Sequence, residues 1–378
     1  MNRTPLYEKH LNKGAMFSVF GGYDMPLWYH SAKDEHINVI NNVGIFDTSH
    51  MSVLSLTGEN SERLLNSSFS RNITNLSPRK EIYGLFLTPD YFVIDDAVIY
   101  KFSHNEFIIV VNAGMGEIII DHLKSFNFSN VTIFNHTNTI CKIDVQGPKS
   151  LFLMEKIFGK ALFADFPYYT FKGSFTNNDY LISRSGYTGE LGFEIYCKND
   201  LGTKLWDELL IQGEVFNIMS CGLASRDSLR VGANLPLSHQ DFGNWKFCNT
   251  PWDFCVDTPI ISNTSYTYSY LGYDVRKLKN SGVVYYNSEE IGRVLSCVSE
   301  VSLTRVGNEI ISVKSKNSSD IKIKGLAAGF IIINRKMTSG DRVIISDGSR
   351  DLEVEIVESI RPERTARYSL KRIRSMYE

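Results

Sequence analysis

The sequence predicts an α+β protein with mostly antiparallel strands and a C-terminal unit built almost wholly of β-structure. Three observations carry this reading. Up to about residue 260, runs with the 3.6-residue spacing of amphipathic helices are interspersed among alternating, strand-like runs. The two kinds do not follow one another in the regular strand–helix–strand series that a parallel sheet requires. Beyond about residue 260 the helical periodicity fades, and runs such as "SGVVYYN", "IGRVLSCV", "GLAAGFIII" and "RVIISDG" alternate with short polar turns.

Taken in order, "SAKDEHINVINNV" from Ser31 to Val43 places Ile37, Val39, Ile40 and Val43 on one helical face. "MSVLSLTG" alternates as a strand, and "ENSERLLNSSF" reads as a helix. In "IYGLFLTPDYFVIDDAVIY" two strands meet at a turn marked by Pro89 and Asp90. "EFIIVVN" makes a third strand and "AGMGEIIIDHLKSF" the helix after it. A second unit opens with "ICKIDVQGPKSLFLMEKIF", strand then helix. It continues through "NDYLISRSGYTGELGFEIYCKN" as paired strands and "LGTKLWDELLIQGEVF" as a helix. No fixed-period repeat interrupts this order, and no GxGxxG or Walker loop marks a nucleotide site.

With 378 residues, 43% of them hydrophobic, the chain is long enough for two or three cored domains. Its 40 basic and 42 acidic residues leave a formal charge of −2, so bulk electrostatic binding of nucleic acid is not expected. The six cysteines (Cys141, Cys197, Cys221, Cys248, Cys255, Cys297) have no CxxC spacing, so neither a metal site nor a disulfide framework is expected. The start, "MNRTPLYEKH", has no apolar core of a signal peptide, and the run Phe107–Val111 is too short to cross a bilayer. A cytoplasmic protein without membrane association is the expectation.

One stretch is chemically conspicuous. "FVIDDAVIYKFSHNEFIIVVN" carries Asp95 and Asp96 side by side in a run that otherwise reads as a buried strand. Burying an unpaired carboxylate costs about 3 kcal/mol or more. Alternation puts the two acids on opposite faces, so one of them faces either water or a ligand. Val98 and Tyr100 follow Asp96 at i+2 and i+4 and share its face.

Several stretches, in order, resemble the aminomethyltransferase family, the folate-dependent T-protein of the glycine cleavage system, together with folate-dependent demethylases of the same superfamily. They are "TPLYEKH", "FGGYDMPLWY", "GIFDTSHM", "IDDAVIYK" with "VVNA", "QGPKS", "SRSGYTGELGFEIY" and "GLASRDSLR". The resemblance implies a three-domain cloverleaf around a tetrahydrofolate pocket. Its discontinuous first domain would take residues 1–50 and 138–250, the second 51–137, and a β-rich, barrel-like third 251–378.

The same resemblance implies the site. Asp96 would project beside N5 of the pterin as the catalytic carboxylate, with Val98 and Tyr100 on its wall and Asn112 contacting the pterin. Glu194 would accept hydrogen bonds from the pterin's N–H edge, a task suited to an acceptor-only carboxylate. Arg226 would contact the folate, reaching toward its glutamate tail, and Met51 and Tyr83 would line the pocket. Taken alone, each has a plainer reading: Asn112 a turn residue, Glu194 a solvent-facing strand residue, Arg226 a helix-surface ion pair, Met51 core. Gly186, Gly189 and Gly192 would let the backbone turn tightly and approach a ring or neighbouring strand.

After Arg230 the chain departs from the family pattern. "NLPLSHQDFGNWKFCNTPWDFCVDTP" has Ser238 and His239 where a tyrosine–glycine pair is usual, and crowds Trp245, Phe247, Trp252 and Phe254 together. A further insert, "SLTRVGNEIISVKSKNSSDIK", interrupts the C-terminal strands. His239, Trp245 and Trp252 form a possible donor site, in which an aromatic cage would hold a cationic methyl donor; simple packing between domains explains the tryptophans equally well.

Three functions follow. One is transfer of an aminomethyl carbon from a lipoyl-bearing carrier (H-protein) to tetrahydrofolate, giving 5,10-methylenetetrahydrofolate and ammonia. A second is a demethylase taking methyl from a small N-, O- or S-methyl donor to give 5-methyltetrahydrofolate. The third is a non-catalytic folate binder.

Overall fold

The computed structural model describes residues 1–175, 179–260, 264–279, 281–315 and 321–377. Two sheets and a closed barrel form its framework. The first sheet has six strands in the order Phe171–Gly173, Leu181–Ser183, Gly192–Lys198, Ile140–Gln146, Val43–Asp47, Ile218–Ser220. All its neighbours run antiparallel except the last pair, which is parallel. Helices Ser150–Phe158 and Asn199–Gly213 cover one face, and Leu151, Met154, Leu205, Trp206 and Leu209 pack there on Ile143, Val145 and Ile195.

The second sheet is wholly antiparallel, in the order Lys80–Leu87, Val93–Ser103, Glu106–Val111, Ser52–Thr57, Thr132–Asn135. Helices Ser61–Ser68 and Gly116–Lys124 close one side of it through Leu64, Leu65, Ile119, Ile120 and Leu123. Its other face meets the first sheet at a seam holding Val53, Tyr100, Val110, Ile140, Phe171, Leu181 and Tyr196. The strand Val93–Ser103 that carries Asp95 and Asp96 therefore lies between a helical layer and a second sheet. That is why its residues alternate between two buried environments.

The third body is a six-stranded antiparallel barrel built from Tyr266–Gly272, Leu326–Ile333, Glu289–Glu300, Val283–Tyr286, Arg342–Ser346 and Asp351–Val357. Closure removes the open sheet edges that would otherwise invite pairing with other chains. The barrel is clasped to the first body by buried ion pairs. Glu300 lies 2.9 Å from His36 of helix Ala32–Asn41 and 3.1 Å from Arg361. Burial pushes the Glu300 carboxyl up, but His36 and Arg361 outweigh it and hold the group down at about 2.

Three features differ from the sequence reading. A hairpin, Met16–Phe20 with Tyr23–Trp28, precedes the first long helix and lies at the cavity described below. The C-terminal unit is not all β. A helix, Leu370–Tyr377, leaves the barrel and packs Leu370 and Ile373 into the core of the six-stranded sheet, with Arg374 on Glu155 at 2.5 Å. Part of the expected insert forms a hairpin, Leu303–Val306 with Glu309–Ser312, while its residues 316–320 lie outside the described residues. Among the described residues no helix is long and apolar enough to cross a membrane.

Candidate functional site

A cavity of about 700 Å³ opens where the two sheets, the hairpin, helix Leu223–Gly232 and the barrel converge. Its walls are mostly apolar, with a few charged groups aimed inward, which is the general character of a small-molecule site. Met51, Tyr83, Asp96, Val98, Asn112, Glu194 and Arg226 all line it. Tyr100 does not. It is fully buried in the seam, edge-on to Phe171 and Tyr196, and its hydroxyl sits 2.9 Å from that of Tyr196 and 3.4 Å from Glu194. Sharing a strand face with Asp96 was not enough, because by i+4 the strand has passed beneath the neighbouring sheet.

The acidic pair stands at one part of the wall. Asp95 is fully buried and accepts hydrogen bonds from the Asn112 backbone N–H at 2.9 Å and its amide Nδ2 at 2.7 Å. The same Nδ2 donates to Asp96, so Asn112 ties both carboxylates together. Tyr83 donates its hydroxyl to Asp96 at 2.6 Å. Burial first, and the neighbouring Asp95 second, push Asp96 up to about 6. Out of water and beside a second carboxyl group, Asp96 ionises reluctantly and becomes a base close to neutrality.

A second cluster is charge-balanced. Lys142 lies 2.6 Å from Asp144 and 3.1 Å from Glu194, and Arg226 reaches Asp144 at 2.8 Å. Burial pushes Asp144 up, but Lys142 and Arg226 outweigh it and hold the carboxyl below its ordinary range. Glu194 is 8% exposed and also accepts from the Tyr196 hydroxyl at 2.8 Å. Arg226 is thus a buried ion-pair residue at the cavity wall, with its guanidinium 4.9 Å from the Tyr187 ring. His50 lines the cavity as well. Burial, aided by Arg226 and Lys142, drives its imidazole down to about 4, so it is neutral in ordinary buffer.

The glycine-rich loop is explained by Gln146. A Cβ at Gly186 or Gly192 would fall 2.0 or 2.3 Å from the Gln146 amide oxygen. That amide accepts from Thr188 at 2.9 Å and donates to the Ser185 carbonyl at 3.3 Å, pinning the loop that forms one cavity wall.

The possible donor-site residues are not brought together in the cavity. Trp252 is 1% exposed, donates to the Asn234 carbonyl at 3.2 Å, and packs edge-on against Phe242 and Phe330 in the junction of the three bodies. Trp245 stacks on Arg293, 4.2 Å from its ring, beside a separate outer groove. His239 is mostly exposed and approaches Asp95 at 3.4 Å from outside the cavity. Of the aromatic segment only Phe254 reaches the cavity, where it leans on Tyr83. An aromatic cage for a cation is therefore absent from the described residues of this wall.

Lys142 escaped the sequence reading, although a lysine two residues from an aspartate inside "ICKIDVQ" signals a buried pair on one strand face. The hairpin residue Phe20 and the loop residue Tyr187 also line the cavity; both lie in the quoted motifs "FGGYDMPLWY" and "SRSGYTGELGFEIY" but were not singled out there. Among the described residues no three His, Cys, Asp or Glu side chains are gathered as metal ligands.

A family model described as the GCVT N-terminal domain matches residues 6–247. The chain belongs to the GCVT family. It is 34% identical over 281 residues to aminomethyltransferases from two strains of Leptospira biflexa serovar Patoc, covering 72% of this chain and 73% of theirs. The GCVT match runs past Arg230, where the motif resemblance fades. The structure is similar to that of the glycine cleavage system aminomethyltransferase T from Bartonella henselae. The TM-score is 0.76 at 22% identity, over 95% of this chain and 98% of that one. The fold likeness thus includes the barrel, which the sequence motifs did not reach. The chain is a T-protein-like enzyme, a one-carbon transferase of the aminomethyltransferase type.

Proposed function

We propose that this protein transfers an aminomethyl carbon, carried on the lipoyl arm of a small carrier protein, to tetrahydrofolate, yielding 5,10-methylenetetrahydrofolate, ammonia and the arm as its free dithiol. The observation that carries the proposal is Asp96: a cavity-lining carboxyl with a raised proton affinity, oriented by Tyr83 and Asn112. The cavity fits a folate in size, in its apolar walls, and in offering the Glu194 carboxylate to an N–H edge. Tetrahydrofolate would supply the N5 amine that accepts the carbon.

Glu194, Met51, Val98 and Asn112 would hold and orient the ring, and Arg226 would attract the anionic tail while remaining paired to Asp144. Asp96 would orient the reacting amine, stabilise the positive charge that develops there, and accept its proton at a carboxyl oxygen. Proximity and electrostatics suffice, so no enzyme nucleophile is called for. Under this reading residues 1–50 with 138–250, 51–137 and 251–378 act as three domains, the last returning its final helix to the first. The six scattered cysteines, without CxxC spacing, suit a cytoplasmic setting.

The test is a product assay with tetrahydrofolate and either aminomethylated lipoyl carrier or a panel of N-, O- and S-methyl compounds. Formation of 5,10-methylenetetrahydrofolate with ammonia is expected. Formation of 5-methyltetrahydrofolate instead would overturn the assignment in favour of a demethylase, and folate binding without either product would leave a binding protein.

A further inference from the structure

Glu81 has no place in the reaction just described, yet it is one of the least comfortable groups in the molecule. It belongs to strand Lys80–Leu87, pairs across to Tyr100, and donates its backbone N–H to Tyr169, so it sits in the seam between the two sheets. It is 3% exposed and does not line the cavity. Neither carboxyl oxygen has a well-formed hydrogen bond among the described residues, although the hydroxyls of Ser185, Tyr100 and Ser183 surround it. The charged group acting on it is another acid, Glu194. Lys142 and Arg226, the bases of this region, are already engaged by Asp144 and Glu194. Glu81 thus adds a carboxyl beside Glu194 while both of these bases are engaged elsewhere, an arrangement that favours its neutral form.

The hydroxyls show where the proton of that form belongs. Tyr196 donates to Glu194 at 2.8 Å, which commits its only proton. Across the 2.9 Å contact between the two phenols, Tyr100 must then be the donor. The Tyr100 oxygen is left with lone pairs only, facing Glu81. A neutral carboxylic acid can donate there, whereas a carboxylate would oppose acceptor to acceptor at Tyr100 and keep as donor only the hydroxyl left over from the 2.5 Å contact between Ser183 and Ser185.

We propose that Glu81 is a positioning residue for the ligand-binding carboxylate: held as a neutral acid, it heads a one-way chain through Tyr100 and Tyr196 that fixes Glu194 to receive a ligand's N–H donors. The proposal rests on the reading of Glu194 as the carboxylate that meets the pterin. Hydrogen bonds aligned in one direction reinforce one another, so the head group influences the far end.

Burial first, then Glu194, push the Glu81 acid up to about 8. Facing it are Glu194 from strand Gly192–Lys198 and Tyr100 from Val93–Ser103; beyond Glu194 lie Tyr196 on the same strand, Lys142 and Asp144 from Ile140–Gln146, and Arg226 from helix Leu223–Gly232. Tyr168, Tyr169 and, beside Tyr168, Arg367 complete the set. The four tyrosines are all raised above their ordinary value by burial, so none ionises before Glu81. Above pH 8 the chain loses its donor and Glu194 gains a like charge beside it.

The test follows tetrahydrofolate binding and steady-state kinetics across pH 8 in the wild type, Glu81→Leu and Glu81→Gln. Glu81→Leu is expected to raise the KM for tetrahydrofolate about tenfold at neutral pH with kcat little changed. Glu81→Gln, whose amide donates but does not titrate, is expected to restore most of that loss and to remove the alkaline fall in affinity. An unchanged alkaline limb in Glu81→Gln would overturn the proposal. Infrared spectroscopy of the unliganded protein provides a separate readout. The C=O stretch of a protonated carboxyl should be present at neutral pH, vanish as pH rises through 8, and be missing in Glu81→Gln. If the wild type binds no tetrahydrofolate, the functional reading fails while the infrared band still decides Glu81; absence of the band overturns the proposal.

Discussion

Asp96 and Asp144 are both buried aspartates beside one cavity, and their surroundings drive them in opposite directions. Asp144 meets Lys142 and Arg226 within 2.8 Å and is held in its ionised form. Asp96 meets a second aspartate, a phenol and an amide, and rises to about 6. The difference is one of charge count. A balanced cluster makes a fixed electrostatic scaffold, whereas an acidic surplus makes a group whose proton can be exchanged at neutral pH. Under the proposed function the cavity would thus be divided into a part that holds and a part that reacts.

The largest effect that would break this division is on the reacting side. Asp96→Asn keeps the contacts of Tyr83 and Asn112 nearly isosteric and is expected to lower turnover by about two to four orders of magnitude. Folate affinity and thermal stability should stay close to wild type, as measured by single-turnover kinetics, equilibrium titration and calorimetry.

On the holding side the pattern should invert. Lys142→Met removes a 2% exposed ammonium from two carboxylates and is expected to cost about 3 kcal/mol of stability, read from denaturant unfolding. Asp144 is depressed in the folded state, so the stability its pairing provides is present above its unfolded value and lost as pH falls through the folded one. The deficit of the variant should therefore narrow in acid, where a protonated Asp144 has no charge left unpaired.

The smallest expected effect concerns His239, whose imidazole is raised chiefly by its contact with Asp95. Loss of that cation in His239→Gln makes the neighbouring negative charge less favourable. The acid limb of the rate profile should then move to higher pH with little change in the plateau.

How much of this was legible depends on distance along the chain. Asp95 and Asp96 announced themselves as charges in an apolar strand, and Asn112, Glu194 and Arg226 lay in motifs short enough to recognise. Tyr100 was misplaced because alternation fixes the face of a residue but not where along the strand a cavity ends. The tryptophans were misplaced for a related reason. Composition shows that aromatics are concentrated near residue 250, but the junction that buries Trp252 is assembled from Leu85, Val231 and Phe330, far apart in sequence. The closing helix, Leu370–Tyr377, offers only two buried positions, too few for its period to stand out after a long β-rich stretch. Glu81 could be seen only once both sheets were in place, since its partners come from strands far along the chain.

The most direct test of the division between a holding and a reacting part is the pH dependence of the single-turnover rate with saturating tetrahydrofolate and aminomethylated carrier, in the wild type and in Asp96→Asn. The wild-type rate should fall as pH drops below about 6, where Asp96 takes up its proton, and the residual rate of the variant should show no such limb. A variant that retains full rate, or that keeps the same acid limb, would contradict the assignment of Asp96 as the reacting carboxylate.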